Sequence, residues 1–123
     1  MRVRVLDASA LGALVFGQPR TGEFAEVIGD APMVAAALLW FELASICLEK
    51  MKAHPAQKDR ILRVFDLASP LAIQIVQVDH SAVIELARET GLTTYDASYL
   101  WLAQHLQGEL ITLDEMLQGK VAQ

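Results

Sequence analysis

The sequence predicts an α/β fold: a parallel β-sheet of about four or five strands flanked by helices. Three observations carry this expectation. Short β-branched apolar runs alternate along the chain with longer stretches at helical spacing. Gly and Pro fall singly, where elements should end, and no repeat, linker or low-complexity tract breaks the order. Hydrophobic residues make up 54% and charged residues 20% of the 123 residues, which is too apolar for a disordered chain and enough for one core. A single domain over residues 1–123 is therefore expected.

Each element has its own signal. Val3-Arg4-Val5-Leu6 is short and β-branched, a strand. Ser9 to Val15 reads as a helix stopped by Gly17 and Pro19. Thr21 to Ile28 reads as another, with Phe24, Val27 and Ile28 on one face and Gly29 as its stop. Met33 to Ala36, after Pro32, suits a second strand. Leu38 to Lys52 is a longer helix in which Leu39, Leu43, Ile46 and Met51 recur near the helical period, and His54-Pro55 breaks it. The next helix spans Pro55 to Ala68, with Ile61, Leu62 and Phe65 inward and Pro70 as its end. Ala72 to Val78 alternates apolar residues with Gln, a strand pattern. Asp79 or Ser81 caps a helix that runs to Thr90 and closes at Gly91. Tyr95 to Leu106 is a helix with Tyr95, Tyr99, Leu102 and Leu106 in register. Leu110 to Leu113 is a strand, and a short helix ends the chain.

The bulk properties exclude several classes. The longest apolar run, Met33 to Phe41, falls far short of the ~20 residues that span a bilayer. Arg2 and Arg4 before an apolar stretch loosely mimic a signal peptide, but Asp7 interrupts it early and no cleavage site follows Phe16. Cys47 is the sole cysteine, so a disulfide framework and a thiolate metal site are both ruled out, and a cytoplasmic location is expected. The net charge of −5 argues weakly against nucleic acid as a partner, so charge must be read by position. The chain has no P-loop, no Gly-rich dinucleotide turn and no Ser/His/Asp or Cys/His arrangement.

The informative residues are acids. Asp7 directly follows the first strand, and Asp114 directly follows the last. In a parallel sheet both strand ends open on one edge, where α/β proteins bind ligands. Glu42 and Asp96 lie in otherwise apolar helical starts, Leu38 to Ala44 and Thr94 to Leu100. Acids are rarely buried unless paired or bound to metal. Converging carboxylates would repel, and a divalent cation removes that conflict. Oxygen donors without a His or Cys cluster favour Mg²⁺ or Mn²⁺ over Zn²⁺. Each acid also has a structural reading. Asp7 and Asp114 suit helix caps, Asp96 stands three after Thr93 at capping-box spacing, and Glu42 suits a solvated face. The set, on one sheet edge, is what points to chemistry.

Four segments together resemble a PIN domain, and more narrowly the VapC-type toxins of bacterial toxin–antitoxin pairs. They are Val5 to Leu11, Trp40 to Ala44, Leu92 to Leu100 and Leu110 to Asp114, in the family's order and spacing over nearly the whole chain. The resemblance implies that Asp7, Glu42, Asp96 and Asp114 hold Mg²⁺, for which Mn²⁺ can substitute, and carry the catalysis. It implies that Ser9 and Thr112 hydrogen-bond around them, Thr112 by period-two alternation with Asp114. The implied activity is an endoribonuclease that hydrolyses phosphodiester bonds; a metal-bound water needs no 2′-hydroxyl attack, so 5′-phosphate and 3′-hydroxyl ends are expected. The implied partners are RNA, a cognate antitoxin and a second copy in a homodimer, with no membrane. Asp79 also follows a strand, but the family pattern has no ligand there and puts that strand at the sheet edge. Asp79 is therefore read as a helix cap. Family members often carry a further strand after the last acid, and only Glu115 to Gln123 remain here to form one.

Lys50, Lys52, Lys58, Arg60 and Arg63, with His54, fall between positions 50 and 63, opposed there only by Asp59. They read either as solvated helix faces or as a grip on RNA phosphates. Glu49 reads as a solvated acid beside Lys50 and Lys52. Trp40, Trp101 and Cys47 suit core or dimer contacts, Tyr95 and Tyr99 suit packing, and His80 and His105 stand isolated. Two rival functions differ in kind. A non-cleaving RNA- or protein-binding regulatory module would keep the fold without turnover. A receiver-type phosphoacceptor would need paired acids after the first strand and a Lys after the last, and this chain has neither.

Overall fold

The computed structural model describes residues 2–17 and 30–121. Strand β1 (Arg4–Leu6) leads into helix α1 (Ala8–Phe16). Gly17 closes that helix at φ 66°, a left-handed conformation open to glycine, and its N–H bonds the Ala13 carbonyl. Then follow β2 (Met33–Ala35), α2 (Leu39–Ala53), a 3₁₀ turn (Pro55–Gln57), α3 (Lys58–Ala68) and β3 (Ile73–Ile75). The chain continues through α4 (His80–Thr90), α5 (Thr94–His105), β4 (Glu109–Ile111) and α6 (Glu115–Val121). The helix expected over Thr21 to Ile28 lies outside the described residues.

The four strands are all parallel, in the order β3-β2-β1-β4. Helices cover both faces of the central strand. Val5 packs in the larger core with Leu11, Leu39, Leu43, Tyr99 and Leu102. Its neighbour Leu6 turns to a second cluster with Ala10, Ala13 and Ile111. Successive strand residues face opposite sides, so burying both explains an apolar run without polar alternation. β3 is an edge strand beside β2, so Asp79 stands away from the ends of β1 and β4. Asp79 caps α4, its Oδ1 accepting from the Ala82 N–H at 3.1 Å.

Several expected boundaries shift for physical reasons. Pro55 starts a tight 3₁₀ turn instead of an α-helix, and α3 begins only at Lys58. Within α3, Ile61 and Phe65 are half-buried, but Leu62 is exposed. The strand expected over Ala72 to Val78 pairs only through Ile73–Ile75, with the Val76 N–H reaching the Ala35 carbonyl. An edge strand has one neighbour and frays where that neighbour ends. Tyr95 lies one turn beyond the packed stripe of α5 and is 56% exposed, whereas Tyr99 and Leu102 are buried. His105 has a partner after all, stacking on Trp101 with ring centroids 4.5 Å apart. β4 ends at Ile111, two residues before the expected Leu113. Among the described residues no fifth strand forms, and Glu115–Val121 is helical instead. No helix among the described residues is long and apolar enough to cross a membrane.

Gly108 joins α5 to β4 where the chain passes close to β1. A Cβ there would stand 2.7 Å from Val3 Cγ2 and 2.9 Å from the Val3 carbonyl oxygen, which accepts from the Glu109 N–H. Replacing Gly108 by Ala should therefore destabilise the fold by about 1–3 kcal/mol, the usual cost of forced overpacking. Urea denaturation checks this, and an unchanged midpoint would show that the β1–β4 junction yields freely.

Candidate active site

The site grows from the register of the two central strands. Leu6 of β1 pairs with Ile111 of β4, so Asp7 and Thr112 emerge side by side at the carboxyl edge of the sheet. Asp7 is 5% exposed and Thr112 2%, and they are the buried polar residues among those described. Both oxygens of the Asp7 carboxylate accept hydrogen bonds. Its Oδ1 accepts from Ser9 Oγ at 2.7 Å and from the Ala10 N–H at 3.0 Å, capping α1. Its Oδ2 accepts from Thr112 Oγ1. The same hydroxyls shape the loop after β4. Ser9 Oγ accepts from the Leu113 N–H at 2.9 Å, and Thr112 Oγ1 accepts from the Asp114 N–H at 3.0 Å. Thr112 directly follows the last residue of β4.

The other acids arrive on helix starts. Asp114 precedes α6, and its Oδ1 accepts from the Leu117 N–H at 3.2 Å. Glu42 lies in the first turn of α2, and Asp96 in the first turn of α5, whose cap Thr93 accepts from the Asp96 N–H. Asp7 and Asp114 do cap helices, as their structural readings expect, whereas Asp96 is held in a helix capped by Thr93.

Asp7, Glu42 and Asp96 are all raised above the ordinary carboxylate range, with burial as the first cause. Burial pushes the Asp7 carboxyl above its ordinary range, against the hydrogen bonds from Thr112, Ser9 and Ala10, and Asp114 adds to the rise. Burial raises Glu42 as well, with Asp7 and Asp96 contributing, while the bond from Tyr99 opposes it. Asp96 is raised by burial, then by Asp114 and Asp7. Among the described residues the ion pairs join Arg4 to Glu109, Lys52 to Glu49 and Arg88 to Glu85, and none reaches the four acids.

This donor set fits a hard divalent cation. It is all oxygen, it carries excess negative charge, and its members repel while no described cation compensates them. Among the described residues no three acids close into a ready-made cage.

One polar partner was not read from the sequence. Tyr99 Oη donates to Glu42 Oε1 at 2.8 Å, from a side chain that is 1% exposed. Its helical spacing signals packing, and the ring does pack. Only the rule that a buried phenol seeks an acceptor could have flagged it.

The basic cluster lies elsewhere. Lys50 stands eight residues along α2 from Glu42, about 12 Å at the helical rise. Its Nζ lies 5.6 Å from the Phe16 ring centroid, at the far end of α1 from Asp7. Lys50 and Arg60 share one surface hollow with Gly17 and His54, Lys52 lies 4.0 Å from Glu49, and Lys58 and Arg63 are exposed on α3. Beside Glu42, by contrast, opens a mainly apolar cavity of about 300 Å³ lined by Leu38, Val78, Ile84, Tyr95 and Ser98.

The PIN domain family model matches residues 4–122. The chain belongs to the PIN domain family. Among its relatives is Ribonuclease VapC3 of Pyrobaculum aerophilum, 26% identical over 121 residues that cover 94% of this chain and 92% of that one. The fold is similar to the crystal structure of PAE2754 from the same organism, with a TM-score of 0.69 at 23% identity, covering 97% of this chain and 79% of that one. It is also similar to Mycobacterium tuberculosis VapC20, described as a sarcin–ricin loop cleaving toxin, with a TM-score of 0.65 at 12% identity, covering 95% and 94%. As a PIN domain, this chain has its four acids at the carboxyl edge of the sheet, at the ends of β1 and β4 and at the starts of α2 and α5.

The raised acids make a pH prediction. A carboxyl whose folded pKa exceeds its unfolded value stabilises the fold fully below the unfolded value, and that stability is lost as pH rises through the folded one. For Asp7, Glu42 and Asp96 the ordinary values are 3.8, 4.5 and 3.8. In EDTA, the contribution of these acids to the melting temperature should increase as pH falls from neutral towards those values. Comparing the parent with Glu42→Gln across that range checks it, because the variant should show a weaker pH dependence. Identical profiles would remove Glu42 from the coupled set.

Proposed function

We propose that this PIN domain is a Mg²⁺-dependent endoribonuclease that hydrolyses RNA phosphodiester bonds, with Mn²⁺ able to substitute, and that it acts as the toxin of a type II toxin–antitoxin pair. The observation that carries this reading is the placing of Asp7 after β1, Asp114 before α6, and Glu42 and Asp96 in the first turns of α2 and α5, with no described ion pair reaching them. The name of the relative Ribonuclease VapC3 and the RNA cleavage ascribed to VapC20 support RNA as the substrate.

In this reading the four carboxylates hold the cation, which when bound supplies Lewis acidity towards the scissile phosphate. The chain's own residues set its position. Ser9 and Thr112 bond both oxygens of Asp7, so its carboxylate cannot rotate away from the edge. The same hydroxyls fix the backbone at Leu113 and Asp114, which aligns the last acid with the first. Lys50, Lys52, Lys58, Arg60 and Arg63 grip the RNA backbone some distance along the strand, leaving the acidic edge for the cut. Exposed Leu38, Ile84 and Tyr95 line the cavity beside Glu42. Apolar surface of this kind supports a protein partner, the cognate antitoxin or a second copy in a homodimer.

Two experiments test the proposal. Purified protein should cleave structured RNA with Mg²⁺ or Mn²⁺, leaving 5′-phosphate and 3′-hydroxyl ends, and EDTA should abolish the cut. Asp7→Asn and Asp96→Asn should each lose more than about 100-fold in rate, beyond the loss typical of an outer hydrogen bond. Products with 2′,3′-cyclic phosphate ends would reject the mechanism. Divalent-ion binding without cleavage of any RNA would favour the non-cleaving module instead. For the grip, changing Lys58, Arg60 and Arg63 together to Glu should flatten the plot of log affinity against log salt by about 2, as expected for three contacts on a single strand. An unchanged slope would move the grip elsewhere.

A further inference from the structure

We infer that Tyr99 is a positioning residue for the metal-binding edge: its hydroxyl locks the Glu42 carboxylate in place across the gap between α5 and α2. This rests on the proposed function, because it assigns Tyr99 a role towards the cation that Glu42 would help to hold.

The argument starts from reach. Glu42 is the longest of the four acids and has an extra rotatable bond compared with the aspartates. Asp7 and Asp114 have backbone caps that fix one oxygen each. Glu42 sits in the first turn of α2, whose cap position is Leu38 and makes no side-chain hydrogen bond. Its described side-chain bond is the one from Tyr99 at 2.8 Å, between residues 57 apart in sequence. That bond takes Oε1, and Oε2 is left for a ligand.

Tyr99 is built to be rigid. It is 1% exposed, among the largest fully buried side chains, and packs in the main core with Leu39, Leu43 and Leu102. A ring held on all sides cannot swing, so its hydroxyl marks a fixed point in the fold. Tyr99 also stands three residues after Asp96 in α5, one turn along the same helix face. One helix therefore supplies one acid directly and fixes a second by a hydrogen bond. A purely packing role would be met equally by Phe, and the hydroxyl is what needs explaining.

The test uses Tyr99→Phe, which keeps the ring, in the full-length protein, with Mn²⁺ binding read by titration calorimetry and by single-turnover cleavage. Tyr99→Phe should weaken Mn²⁺ binding about tenfold, the scale of one charge-assisted hydrogen bond. Glu42→Gln should also weaken it. The double variant should bind no more weakly than Glu42→Gln alone, because the hydroxyl acts through that carboxylate. Raising Mn²⁺ to saturation should restore most of the cleavage rate of Tyr99→Phe. Full affinity in Tyr99→Phe, or an equal further loss in the Glu42→Gln background, would overturn the inference while leaving the nuclease reading intact. A parent protein that binds no Mn²⁺ would overturn both. If Tyr99→Phe melts too low to titrate, the calorimetric comparison is made on Leu102→Val, which loosens the same core without touching the hydroxyl. Weakened Mn²⁺ binding there would reassign the effect to packing and overturn the inference.

Discussion

The buried carboxylate of Asp7 is the constraint from which the rest of the site follows. It stands at the end of the central strand, 5% exposed, and its oxygens accept from Ser9, Ala10 and Thr112. Taking a carboxylate out of water costs several kcal/mol. Charge-assisted hydrogen bonds contribute about 1.5–3 kcal/mol each, so several must converge for the group to sit there. Those bonds come from α1 and from the loop after β4. Satisfying one acid therefore fastens the first strand–helix unit to the last, and sets the chain direction from which Asp114 emerges.

The second constraint is like-charge repulsion, and the fold relieves it only in part. Every acid of the set sits at a helix start: Asp7 before α1, Glu42 in α2, Asp96 in α5 and Asp114 before α6. The positive end of a helix dipole favours an acid by about 0.3–1 kcal/mol. The carboxyls of Asp7, Glu42 and Asp96 stand above their ordinary range, first because of burial and then because of neighbouring acids. A fold that keeps acids together against this balance has a use for their charge.

Around that edge the surface divides its work. Basic side chains gather at the far ends of α1 and α2, whereas the groove beside Glu42 is mainly apolar. The arrangement follows from helix geometry, since α2 carries Glu42 at its start and Lys50 and Lys52 in its last turn.

The alternation of strand and helix patterns was enough to determine the α/β class, the parallel sheet and the acids at its edge, because burial on both faces and the punctuation by Gly and Pro are local properties. Asp79 was separable from Asp7 on family resemblance, and the edge position of β3 agrees with that reading. What only the tertiary structure decided depends on contacts between distant residues. β4 ends at Ile111, and the Thr112 hydroxyl just beyond it bonds Asp7, 105 residues away. The bond from Tyr99 to Glu42 spans 57 residues, and a periodic pattern records that a ring is buried but not what its hydroxyl meets. Helical spacing placed Tyr95 and Tyr99 on one stripe, yet the core ends between them, so one is exposed and the other buried. Periodicity fixes which face of a helix turns inward, and packing alone fixes where that face stops being covered.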